Sequence, residues 1–243
     1  GMSVYNNGRP QVLQFLRCRR VTVRDVQLRA SGMWMQHYYL CDDVKIQGIN
    51  VYNHGNLNND GLDIDSCRDV IVSDCVIDSD DDAVCIKSSG TRPCERITIT
   101  NCQVSSFCHG IKLGTESVGG FRDITVSNCS IGPTPTDAEP IYGGPRGGWS
   151  GIAVTCVDGG FIEDINIANV VIRDAASPLF IRLADRGRAA QAQSPRPGPG
   201  RVERVRLSNI TASGYGRFGS SITGLEDVRI RDVALYHVHL RGD

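Results

Sequence analysis

Aromatic side chains are scarce in this sequence, at 6% of 243 residues, and neither charge dominates: 26 lysines and arginines face 27 aspartates and glutamates. Without a basic surplus, a basic nucleic-acid binder is ruled out as the default reading. Without an acidic surplus, and with 40% hydrophobic residues, so is a disordered acidic tail. No stretch approaches ~18 consecutive apolar residues, the length a membrane-spanning helix needs. The chain opens Gly1-Met2-Ser3 with no basic-then-apolar leader, so no targeting peptide is visible at this end. The ten cysteines include no Cys-x-x-Cys pair and no Cys/His cluster at zinc spacing. What is present is length enough for one domain with a sizeable core.

That core is written as a repeat. Apolar-x-apolar, a polar residue or glycine, then apolar-x-apolar recurs with first apolar positions at Val21, Val44, Val70, Ile97, Ile124, Ile165, Val205 and Val228. Successive starts lie 23, 26, 27, 27, 41, 40 and 23 residues apart. Three positions before each start stand Cys18, Cys41, Cys67, Cys94, Phe121, Ile162, Val202 and Leu225. Five positions after stand Val26, Ile49, Cys75, Cys102, Cys129, Val170, Ile210 and Val233. The residue between the two apolar pairs is Asp25, Gly48, Asp74, Asn101, Asn128, Asn169, Asn209 or Asp232. Alternation with period two predicts short strands. An Asn/Asp/Gly column between them predicts a bend, because these residues tolerate a left-handed backbone. Helical spacings of three and four are lacking. Strands too short to bury a face alone, repeated at this interval, stack as a solenoid. The expected fold is all-β: a single-stranded right-handed parallel β-helix of about eight coils. It forms one domain over residues 1–243, with inserts at about 132–150 and 186–200. A β-propeller needs longer repeats. Seven cysteines fall in two apolar columns and are expected as free thiols filling the interior. In-register neighbours have parallel Cβ vectors, whereas a disulfide needs converging ones.

Acids interrupt the pattern at one place. The third strand of three successive coils reads Asp60-Gly-Leu-Asp-Ile-Asp, then Asp82-Ala-Val-Cys-Ile-Lys, then His109-Gly-Ile-Lys-Leu-Gly. Asp60, Asp82 and His109 then share one column, with Asp80 and Asp81 directly before Asp82. Stacked carboxylates repel, and some acquire raised pKa values. Two carboxyl groups one or two rungs apart suit glycoside hydrolysis, one as acid and one as base for water. The competing chemistry is a calcium site, as in a calcium-dependent polysaccharide lyase; the histidine is a poor calcium ligand and counts against it.

At these residues the chain resembles the polygalacturonase family, glycoside hydrolase family 28, whose members are right-handed parallel β-helices. The family's Asn-x-Asp-Gly appears as Asn58-Asn59-Asp60-Gly61, its paired Asp as Asp81-Asp82, and its Gly-His-Gly as Cys108-His109-Gly110. Its Ile-Gly-Ser appears as Leu113-Gly114-Thr115, and Ser31-Gly32-Met33-Trp34 is similar to the Ser-Pro-x-Trp that precedes the catalytic coils. The resemblance implies that Asp81 is the general acid, that Asp60 and Asp82 hold the attacking water, and that His109 maintains their protonation and orientation. It makes Asn58 and Lys112 candidate substrate contacts. The family's Arg-x-Lys, which grips a galacturonate carboxylate, is replaced here by Ala153 and Thr155. Arg182 and Arg186 on the next coil are the expected substitutes.

The function this implies is an inverting glycosidase acting on a pectin-like, galacturonate-containing polysaccharide or oligosaccharide. A carbohydrate-binding homologue without turnover is the alternative beside the lyase. No metal or cofactor is expected, and neither nucleic acid nor membrane is an expected partner. Location is expected to be secreted or periplasmic. Little precedes the first coil near Gln11, so the chain is expected as a monomer or a weak dimer through an uncapped N-terminal end. The first insert carries Tyr142 and Trp149 and leaves the solenoid just after the His109 coil, where it can wall a cleft.

Overall fold

The computed structural model describes residues 8–135, 137–186, 198–215, 218–228 and 230–242. The second expected insert falls mostly on 187–197, outside these residues. Among the described residues there is no helix; the chain winds as parallel strands in two sheets. One sheet has eight strands: Leu13–Leu16, Gln36–Tyr39, Leu62–Asp65, Val84–Ser88, His109–Ser117, Ser150–Cys156, Ser177–Leu183 and Ser221–Thr223. The remaining twelve strands form the second sheet, which carries the alternating repeat.

The repeat positions stack as the pattern requires. Val21, Val44, Val70, Ile97, Ile124, Ile165 and Val205 are register partners in turn. From Val44 onward each is at most 1% exposed. Each rung therefore buries one branched side chain against the next, worth roughly 1.5–3 kcal/mol per residue. The last coil departs from the expected register: Val205 pairs with Val233, not Val228, so the repeat start at 228 is displaced by five residues.

The bend column has the predicted left-handed backbone, with φ of 54° at Asp25, 62° at Gly48, 58° at Asp74, 56° at Asn101 and 52° at Asn209. Its amides ladder along the solenoid, Asn169 to Asn128 at 3.1 Å and Asn209 to Asn169 at 3.1 Å. A second left-handed column lies one residue before each repeat start, and it includes Arg20, Arg96 and Arg204.

All ten cysteines are free, and eight are buried. They do more than fill space. The backbone N–H groups of Cys18, Cys41 and Cys67 donate to the Sγ of the cysteine one coil on, at 3.3–3.4 Å. The thiols of Cys75, Cys102 and Cys129 donate to the carbonyl two residues back, at 3.1–3.2 Å. Cysteine is small enough for the interior, and its sulfur gives the N–H groups of Cys18, Cys41 and Cys67 an acceptor at the corners between strands.

Candidate active site

The eight-stranded sheet presents its outer face as the candidate cleft. Val84 pairs with Leu62 on one side and Ile111 on the other. The N–H of Gly61 donates to Asp82 O, and that of Ala83 to His109 O, each at 2.9 Å. Asp60, Asp82 and His109 therefore do stand in one column, at the entrance to their strands. Ser150 continues it, in register with His109. Glycine after the column residue is a packing requirement: a Cβ at Gly61 would sit 2.3 Å from Ile77 Cγ2, and one at Gly110 would sit 2.5 Å from Ile131 Cγ2. The buried Asn53 amide ties the Asp60 carbonyl to that of Met33, at 2.8 and 2.9 Å.

Asp60 and Asp82 are each 2% exposed. A carboxylate oxygen of each, with the Cys85 thiol, lies within a 4.8 Å cluster, and Asp82 forms a second such cluster with Cys108 and His109. Two lysines enter this acid group. Lys112 Nζ lies 2.7 Å from Asp82 Oδ2. Lys87 Nζ lies 3.3 Å from Asp63, 3.6 Å from Asp60 and 3.5 Å from Glu116, with its ammonium 4.8 Å from the centre of the Trp34 ring. Asp60 Oδ1 and Asp82 Oδ1 are buried with no protein hydrogen-bond partner.

These neighbours set the protons apart. Burial, then Asp63 and Asp81, push Asp60 well above the usual carboxylate range. Burial and the adjacent Asp82 raise Asp81. Burial pushes Asp82 upward too, but Lys112, His109 and Lys87 outweigh it and hold Asp82 below its ordinary value. Burial and the Lys112 charge lower His109 to about 4, so its ring is neutral near neutral pH. His109 Nδ1 lies 2.6 Å from Ser150 Oγ, which fixes the ring's orientation. Burial raises Asp63 to about 7, with Lys87 opposing.

Asp81 is the most open of the four, and the first insert reaches it. The Tyr142 hydroxyl donates to Asp81 Oδ2 at 2.8 Å and accepts from the Asn58 N–H at 2.7 Å. The Ser79 and Ser106 hydroxyls hold the Asp81 carbonyl at 2.7 and 2.6 Å.

The other expected contacts are distributed differently. Asn58 gives its side-chain oxygen to Arg9 at 3.0 Å, and it is the neighbouring Asn59 whose amide anchors the loop on Ser31 and Met33. Lys112 is committed to Asp82. Arg186 is committed to Asp158 at 2.6 and 2.5 Å, to Thr115 at 2.6 Å and to Glu116 at 3.0 Å. With Lys87 on its other side, Glu116 falls to about 2 although burial opposes it. Arg182 stands exposed on its strand with no ion pair among the described residues. Ala153 is buried, and the Thr155 hydroxyl is spent on Leu113 O at 2.8 Å. Sequence reasoning did not single out Lys87, Asp63 and Glu116 or the contact of Tyr142 with Asp81.

The donor set does not suit calcium, which takes six to eight oxygen ligands. Two ammonium groups already neutralise the carboxylates, and thiols and an imidazole complete the surroundings. What the arrangement can do is hold one carboxyl protonated beside another that is ionised.

Comparison with known proteins agrees with the fold. The crystal structure of an exopolygalacturonase from Thermotoga maritima superposes with a TM-score of 0.78 at 28% identity, over 96% of this chain and 50% of that one. A polygalacturonase from Erwinia carotovora superposes with a TM-score of 0.72 at 18% identity, over 96% of this chain and 58% of that one. A polygalacturonase of Juniperus ashei is 24% identical over 245 aligned positions, 99% of this chain and 45% of its own length. The chain spans about half the length of the curated relatives it matches. The family model named Glycosyl hydrolases family 28 matches residues 3–241, nearly the whole solenoid, and the chain belongs to that family.

Proposed function

We propose that the chain hydrolyses glycosidic bonds in a galacturonate-containing, pectin-like polysaccharide or oligosaccharide, with inversion at the anomeric carbon. The observation that carries this reading is the division of protons within one buried group: Asp81 and Asp60 raised, Asp82 lowered. A raised carboxyl keeps its proton for the leaving oxygen, and a lowered one stays ionised to take a proton from water. Asp81, open to the cleft and braced by Tyr142, is the general acid. Asp82, charged by virtue of Lys112, is the base. Asp60, held well above the usual carboxylate range by burial and then by Asp63 and Asp81, carries the proton beside the ionised Asp82. Neutral His109, oriented by Ser150, borders Asp82 without adding charge. Arg182, exposed and without an ion pair among the described residues, is the cation assigned to meet a substrate carboxylate. A polymeric substrate of this kind places the protein outside the cell or in the periplasm.

The similarity to an exopolygalacturonase at 28% identity supports the substrate class. The test is the anomeric configuration of the first product, read by proton NMR during hydrolysis of pectic substrates. Inversion is expected; retention would refute the assignment of Asp82 as a base acting on water.

A further inference from the structure

One cavity, of about 310 Å³, adjoins the acid group on the side of the later coils. His109 forms its near wall, and Ser150, Ser177, Trp149, Phe180 and Phe218 are among the other residues that line it. Ser150 is in register with His109 and Ser177 with Ser150, so the cavity begins one rung beyond the column of Asp60, Asp82 and His109. A rung is about 4.8 Å, comparable with the advance of one sugar unit along an extended chain. The cavity thus adjoins the acid group along the same face of the sheet.

Its chemistry is unlike that of the acid group. Three aromatic rings line it, with Trp149 and Phe218 stacked at a centroid distance of 5.8 Å and 28°. Phe180 follows Lys112 and Ala153 in one outward column of the sheet, so an aromatic ring stands two rungs beyond the lysine that holds Asp82. Serine hydroxyls are the neutral donors and acceptors. No lining residue is a cation. The nearest lysine, Lys112, is bound to Asp82, and Arg182 lies outside the lining, exposed at the next outward position of the Phe180 strand. A carboxylate placed in this cavity would lose water without gaining a charge partner, which is costly. A pyranose ring without a carboxylate has an apolar C–H face to lay on the rings and hydroxyls for the serines.

Resting on the glycosidase reading above, we propose that this cavity is a subsite for an uncharged sugar unit, either neutral or methyl-esterified, stacked on Phe180 and Trp149. The substrate is then one in which an acidic unit at the acid group is followed by an uncharged unit one rung on. Unsubstituted galacturonan, charged at every unit, is a poor fit.

The test compares three polymers: unesterified galacturonan, fully methyl-esterified galacturonan, and the rhamnogalacturonan backbone, in which acidic and neutral units alternate. At least one of the last two is expected to show kcat/KM about tenfold or more above the first. Phe180→Ala is expected to remove that advantage chiefly through KM, and Phe180→Tyr to keep it. Binding is read separately by titration calorimetry of oligosaccharides from the three polymers with Asp81→Asn, and with Asp81→Asn combined with Phe180→Ala. Hydrolysis that is fastest on unesterified galacturonan, or affinity for the uncharged units that ignores Phe180, overturns the subsite. Affinity that depends on Phe180 with no hydrolysis of any polymer by the unmodified protein upholds the subsite and overturns the glycosidase reading.

Discussion

Replacing Lys112 by methionine removes the charge paired with Asp82 while keeping most of the side chain's bulk. Lys112 Nζ is 2.7 Å from Asp82 Oδ2, and the two side chains are 11% and 2% exposed, so water screens the pair poorly. In an effective dielectric of about 20 the direct attraction is about 6 kcal/mol. Desolvation takes back much of it, and an opposite charge this close shifts a carboxyl by about 1–3 pH units. Asp82 is faced by Asp60 from the preceding coil, by Cys108, His109 and Lys112 from the following one, and by Asp81, Cys85 and Lys87 of its own coil. Burial pushes Asp82 upward, and Lys112 is the largest of the influences that hold it below its ordinary value. The sign is therefore fixed. Asp82 is an ionised base above its pKa, and activity is lost as pH falls through it. Without Lys112 the pKa rises, and the acid limb of kcat/KM moves up by about 1–3 pH units. Lys112→Arg returns the charge and moves the limb back. The assay is a pH–rate profile on a pectic oligosaccharide for the three proteins, with melting curves to show that each variant is folded. An acid limb that stays in place in Lys112→Met, with a raised KM at every pH, would refute this reasoning and make Lys112 a substrate contact.

Asp81→Asn removes the proton donor and is expected to lower kcat at least about 100-fold; an unchanged kcat excludes Asp81 as the acid. His54 is clamped by Asp80 at 2.7 Å and Asp78 at 3.1 Å, and although burial opposes it, the carboxylates of Asp78 and then Asp80 raise it from 6.5 to about 9. The stabilisation is complete below about pH 6.5 and lost as pH rises to about 9; the Tm advantage over His54→Gln should shrink across that window, and a constant advantage would count against a charged His54. Ile99, fully buried between Val72 and Val126 in register, should cost about 2–5 kcal/mol in urea unfolding when cut to alanine, and a cost below about 1 kcal/mol would deny the interior stack.

The solenoid and its acid column were legible because both depend on spacing. Asp82 and Asp60 share a column since Val84 and Leu62 are register partners, and the repeat carries that relation without any knowledge of side-chain contacts. The bend column was legible because asparagine and aspartate announce a left-handed backbone. Where the residue type is silent, the sequence misleads. In the last coil the bend equivalent to Asn209 is occupied by His237, with φ of 50°, while Val228 and Ile230 imitate a repeat start five residues early. The second left-handed column was only partly announced: aspartate holds it at Asp43, Asp69, Asp123, Asp164 and Asp232, but arginine, which gives no turn signal, interrupts it at Arg20, Arg96 and Arg204.

What spacing cannot give is which outward side chain meets which. Lys112 faces the groove, and from the sequence a cation in a groove suits a substrate anion as well as a protein one. The structure decides by reach: Lys112 crosses back one rung to Asp82, and Arg186 crosses to Glu116, 70 residues earlier. Tyr142 was no more foreseeable as a partner of Asp81, 61 residues before it, because it arrives from an insert that obeys no repeat. The charges of the site thus form a closed set, in which Lys87, Lys112 and Arg186 are spent on Asp60, Asp82, Glu116 and Asp158. A groove that neutralises its own acids has few cations left for those of a substrate. This is why the aromatic cavity beyond His109, and the exposed Arg182 at the next outward position, must divide between them the work of choosing the sugar.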